Sequence, residues 1–87
     1  MNNFKRILKE NGISITLLCD VSADIEAERG EAGLQISLVS KIQNGWDSYS
    51  IRTLDKIVRA LNNLLPERKR VTRVDLLVDK QQIKKTK

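Results

Sequence analysis

Between Ser50 and Pro66, apolar side chains recur at three- and four-residue steps: Ile51, Leu54, Ile57, Val58 and Leu61. That spacing lays them along one side of an α-helix, whereas a strand would repeat every second residue. Ser50 stands where its hydroxyl can accept from the free N–H groups of the first turn. Asn62 and Asn63 weaken the stripe, and Pro66 closes it by disfavouring helix in the residue before it. The same period organises the chain upstream. Phe4, Ile7 and Leu8 face one way while Lys5, Arg6, Lys9 and Glu10 face the other, predicting a helix over 2–11 that Gly12 stops. Ser14 caps a second helix whose stripe is Leu17, Leu18, Val21 and Ile25, fading through Glu26-Ala27-Glu28-Arg29 before Gly30 and Gly33. A helix over 14–29 and a shorter one ending near Ser22 both fit, and the longer is the expectation.

Leu34 to Asn44 forms a third helix with Val39 and Ile42 inward and Ser37, Ser40, Lys41 and Asn44 outward. Asn44-Gly45 ends it as a left-handed cap, and Trp46 to Tyr49 is a short connection. Thr72-Arg73-Val74-Asp75 resembles a capping box with Asp in place of Glu. It precedes Leu76-Leu77-Val78 and predicts a fifth helix over 73–80, with a strand as the competing reading because Val, Thr and Leu also suit one. The fold class expected is therefore all-α: one compact five-helix domain over 1–80, and a basic flexible tail over 81–87.

Composition removes most alternatives. With 87 residues, folding buries only about 60–65% of the unfolded surface, so the core has to come from regular packing. The single cysteine, Cys19, excludes an intramolecular disulfide and fits a reducing, cytoplasmic compartment; it is expected as a small buried residue. Apolar runs are only a few residues long and no signal peptide is visible, so neither membrane spanning nor secretion is expected. Histidine is absent, which takes away the commonest general base and the commonest metal ligand. No catalytic residue, metal or cofactor is expected. Gly30-Glu31-Ala32-Gly33 lacks the Lys-Ser/Thr of a phosphate loop, and Asp20, Asp24, Glu26, Glu28 and Glu31 lack a calcium-loop pattern and read as a solvated helix face.

The net charge of +5 favours polyanionic partners, but its distribution is more informative. Residues 14–33 sum to −4, and residues 66–87 to +5.

Gly12-Ile13-Ser14, Gly33-Leu34, then Val39-Ser40-Lys41-Ile42-Gln43-Asn44-Gly45, followed by Ser50-Ile51-Arg52-Thr53-Leu54 and Ala60-Leu61-Asn62, resemble the phage-repressor (Xre/Cro-like) helix-turn-helix family. The resemblance spans about residues 3–65 and extends to Thr72–Leu77 as the family's short last helix. It implies a sequence-specific regulator of transcription, most often a repressor, whose third helix enters the major groove of double-stranded DNA. The positions matching base-reading residues are Gln35, Ile36, Ser37, Leu38 and Lys41. A lysine there can donate to guanine, a serine can serve several bases, and an isoleucine can pack on a thymine methyl. Ser40, Asn44, Trp46, Ser48 and Arg52 match phosphate-contacting positions, although for Trp46 the favoured reading is that it plugs the edge of the core behind the third helix.

This chain departs from the family in the step from Gly12 to Gly33, which carries roughly ten extra residues overlapping the acidic segment. Repulsion from phosphate predicts that this insertion points away from DNA. Ile36 and Leu38 also replace mostly polar readers. The resemblance further implies a homodimer that sets two third helices about 34 Å apart on an inverted repeat, joined through Val74, Leu77 and Val78 or through the inserted part of the second helix. The competing reading is a protein-interaction module, such as an antitoxin or anti-repressor, gripping a protein partner with Ile36, Leu38 and the acidic segment 20–31.

Overall fold

The computed structural model describes residues 3–77, which form five α-helices and one 3-10 turn with no strand. The helices are α1 (Phe4–Glu10), α2 (Ile15–Glu28), α3 (Ile36–Gln43), α4 (Ile51–Leu64) and α5 (Arg73–Leu77), with the 3-10 turn at Glu67–Lys69 ahead of α5. The all-α expectation holds, including the long second helix and the helical rather than extended reading of 73–77. Residues 78–80 of the expected fifth helix and the expected tail 81–87 lie outside the described residues.

Helix starts follow local chemistry. Leu17 N donates to Ser14 Oγ at 3.1 Å and Thr53 N donates to Ser50 Oγ at 3.2 Å, so both expected caps form. Before α5 the capping box closes in both directions: Thr72 N donates to Asp75 Oδ2 at 2.8 Å, and Asp75 N donates to Thr72 Oγ1 at 3.4 Å. The first three helices end alike. Gly12, Gly30 and Gly45 each take positive φ, and the next residue's N–H folds back onto the helix: Ile13 on Leu8 O, Glu31 on Glu26 O and Trp46 on Lys41 O. This is the Schellman ending, which satisfies orphaned carbonyls and fixes the direction of the exiting chain.

The core joins all five helices: Phe4 and Leu8 from α1, Leu18 and Cys19 from α2, Val39 and Ile42 from α3, Leu54, Ile57, Ala60 and Leu61 from α4, and Leu76 from α5. Two stripes differ from their sequence reading. On α2 the buried line is Leu18, Cys19, Ser22 and Glu26, while Leu17 is exposed and Val21 and Ile25 are half-buried. On α4, Ile51 is 63% exposed and the interior begins at Leu54. In both cases the element packed opposite decides which edge of the stripe is covered.

Two buried polar groups set α2 in place. Ser22 Oγ accepts from Leu34 N at 3.1 Å, tying the 29–35 loop to the helix. Glu26 is wholly buried, and its two carboxylate oxygens accept from Arg59 Nε and Nη2 of α4 at 2.9 Å each. Glu26 is thus not part of a solvated acidic face. Hydrogen bonding from Arg59 holds its carboxyl below the ordinary range against the opposing effect of burial, with Arg29 and Lys56 adding to the attraction. Further ties close the fold. Asn62 donates to Val71 O and accepts from Val71 N at 2.9 and 2.7 Å, and Arg73 pairs bidentately with Asp55. Asn3 Nδ2 donates to Asp75 O.

Two outcomes test these contacts. Gly33 lies so close to α2 that a Cβ would sit 2.5 Å from Ala23 Cα, so Gly33→Ala is expected to cost about 1–3 kcal/mol in chemical unfolding, as overpacking does. Glu26→Gln is expected to lose about 2 kcal/mol at pH 7. That is less than the 3–5 typical of a fully buried pair, because the Arg59 side chain is 30% exposed. A carboxyl with a depressed folded-state pKa stabilises above its ordinary pKa and loses that contribution as pH falls through the depressed value. The wild-type and Glu26→Gln unfolding curves should therefore converge in acid and separate towards neutrality.

Candidate nucleic-acid interface

The 29–35 loop delivers α3 against α2. Leu34 is buried in the core, and Gln35 follows with extended backbone as the N-cap of α3, without a side-chain capping bond. Val39 and Ile42 are wholly buried, which fixes the rotation of this eight-residue helix about its axis. The opposite side then presents Gln35, Ile36, Ser37, Lys41 and Asn44 to solvent. Ile36 is 53% exposed, an aliphatic surface with no cover from this chain. Leu38 and Ser40 are only half-buried flank positions, and Leu38 packs against the core. Of the ten expected contact positions these two are the least available.

Beyond α3, the Schellman ending determines where Trp46 lies. Its N–H returns to Lys41 O at 3.0 Å, which brings its ring back over the last turn, and Lys41 Nζ sits 5.9 Å from the ring centroid. A lysine at this distance is attracted by the ring's negative face and has its position narrowed. Trp46 therefore neither plugs the core nor stands free: it is 40% exposed and backs Lys41. Ser48 is exposed in the following connection.

Arg52 occupies the first turn of α4, where unpaired N–H groups give the helix end positive character. Its side chain is 74% exposed, but its Nε lies 3.2 Å from Glu31 Oε1. The same carboxylate is 3.8 Å from Lys56 Nζ, which donates to Ala32 O at 2.7 Å. The acidic segment thus does not stay wholly apart from the expected phosphate contacts, because its last carboxylate reaches one of them. The reason is local: Glu31 follows Gly30 in the Schellman ending of α2, and its N–H is held on Glu26 O at 2.8 Å. Gly30 in the sequence signals that ending, but nothing in the sequence couples Glu31 to Arg52, twenty-one positions on.

Cys19 is buried and desolvation raises its thiol pKa, with Asp20 adding to the effect, which disfavours the reactive thiolate. Among the described residues no group of three His, Cys, Asp or Glu side chains is disposed to hold a metal ion, and no helix is long and apolar enough to cross a membrane. Comparison with known proteins gives no match to a family model, to a curated protein or to a solved structure.

Trp46 is the only tryptophan, so its emission reports on Lys41 directly. Lys41→Ala is expected to change the intensity or wavelength of that emission while altering unfolding free energy by no more than about 1 kcal/mol. An unchanged spectrum would show that the cation does not dwell over the ring in solution.

Proposed function

We propose that this chain is a sequence-specific double-stranded DNA-binding regulator of transcription, a repressor of the phage-repressor (Xre/Cro-like) kind, acting as a homodimer on an inverted repeat. The observation that carries the reading is the rotation of α3. Burial of Val39 and Ile42 leaves Gln35, Ile36, Ser37 and Lys41 on one open side, with Arg52 at the positive end of α4 as a candidate phosphate contact. A helix with its side chains fits the major groove. Lys41 would read a guanine edge, Ser37 a polar edge and Ile36 a thymine methyl, while Asn44, Ser48 and Arg52 would hold phosphates. Backing by Trp46 reduces the freedom Lys41 has to lose on binding. Binding would block access to a promoter, and chemistry on a substrate plays no part.

Glu31 has a defined role in this scheme. Its carboxylate competes with phosphate for Arg52, lowering affinity for any duplex regardless of sequence. Exposed pairs of this sort are worth about 0.2–1 kcal/mol and are screened by salt.

A second reading is favoured by one observation, the exposure of Ile36 and Ile51 at 53% and 63%: the same surface would then grip a protein. Titration of fluorescent duplexes selected from a random pool separates the two. On the DNA reading, the logarithm of affinity falls against the logarithm of salt with a slope of roughly −4 to −8 for a dimer. Arg52→Ala flattens that slope by about one per contact, and Lys41→Ala costs about 1–3 kcal/mol and relaxes the base preference. Salt-independent affinity, or both variants binding as wild type, refutes it. Glu31→Gln is expected to tighten binding by about two- to five-fold at low salt, with the gain vanishing at high salt.

A further inference from the structure

The side of the molecule formed by the C-terminal halves of α2 and α4 carries opposite charges at its two edges. On α2, Asp20, Asp24 and Glu28 are exposed at four-residue intervals, one row on a single helix face. Among the described residues no cation pairs with Asp24 or Glu28, and the last turn of α2 contains no basic residue. Carboxylates there also oppose the helix dipole, so the row is a local liability to the helix that bears it. At the other edge the 3-10 turn presents Arg68, Lys69 and Arg70, all exposed and, among the described residues, without a carboxylate partner.

Shallow grooves connect the two edges. One groove is lined by Val21, Asp24, Ile25, Glu28 and Asn63. Its neighbour shares Ile25 and Asn63, adds Val58, Asn62 and Arg59, whose charge is already matched by Glu26, and ends on Arg70. Arg70 then also borders a larger cleft with Arg68, Lys69 and Arg6, where Glu10 is paired with Arg6 and Asp75 is engaged by Thr72. The order across this surface is acidic, apolar and amide, then basic. Such a surface is complementary to itself under a two-fold rotation: an axis near Ile25 and Asn63 sets those residues against their own counterparts and lays each acidic edge on the basic edge of the other copy.

We propose that this surface is where two copies of the chain associate, Asp24 and Glu28 of each pairing with Arg68 and Arg70 of the other around Ile25, Val58 and Asn63. The occupant is a second copy because one chain carries both halves of the match, and an alignment that set acidic edge on acidic edge would be repelled. Eleven residues of α4 separate Arg52 from Asn63, about 16 Å of helix, so α3 and Arg52 stay clear of the contact. Val74 and Leu77 are also exposed, on α5, but nothing beside them specifies a mate. The inference deepens the homodimer of the proposed function by naming its surface, and it is tested without DNA, so it can fail or stand independently of DNA binding.

The experiment is sedimentation equilibrium of the full chain, with circular dichroism confirming helix content in each variant. Wild type is expected to dimerise more weakly as salt rises. D24K/E28K and R68E/R70E are each expected to dimerise at least ten-fold more weakly. Mixed in equal amounts they should form a heterodimer, because both contacts become opposite in charge again, and the quadruple variant should recover the homodimer. If a charge reversal unfolds the chain, D24N/E28Q and R68Q/R70Q put the same question with milder changes. A monomeric wild type, a dimer indifferent to these changes, or a mixture that stays monomeric overturns the proposal. So does association abolished by V74D/L77D alone.

Discussion

A buried carboxylate, Glu26, joins the two longest helices of this small domain, accepting two hydrogen bonds from Arg59 in the interior between α2 and α4. Charges removed from water are costly unless paired with good geometry, and a bidentate guanidinium supplies that geometry. The pair does more than link two helices. It fixes the rotation of α2, so that Leu18, Cys19 and Ser22 turn inward with it. Ser22 then receives the N–H of Leu34, and Gly33 is drawn against Ala23. The start of α3 is placed by those two contacts, and the orientation of its exposed side follows.

The same arrangement decides where each carboxylate of the acidic segment goes. Glu26 is neutralised inside, and Glu31 is taken up by Arg52 and Lys56 at the loop. Asp20, Asp24 and Glu28 remain as a row on the outer face of α2. The segment is thereby divided into a buried structural carboxylate, one held by basic side chains at the loop, and an exposed row.

Much of the helix plan was legible because it rests on short-range physics. Ser14, Ser50 and the Thr72/Asp75 box act within three residues, and Gly12, Gly30 and Gly45 turn the chain with bonds that span one helical turn. The inner face of α3 was equally readable, since Val39 and Ile42 are apolar, few and unambiguous. Among candidate contacts, the exposure of Ser37, Lys41 and Asn44 followed from the same helical wheel. The role of Trp46 did not: its ring returns over Lys41 only because the chain reverses at Gly45.

Sequence by itself determined that this chain is helical, where its helices start and stop apart from the start of α3, and which side of α3 is polar, for these depend on hydrogen bonds and periodicities closed within a few residues. Tertiary structure alone decided which edge of α2 is buried, that Glu26 is an interior group, that Asn62 clamps Val71, and that Glu31 meets Arg52. Those outcomes pair residues nine to thirty-three positions apart. A polar side chain gives no local sign of whether water or a distant partner satisfies it, so its burial is settled only when the partner's helix arrives.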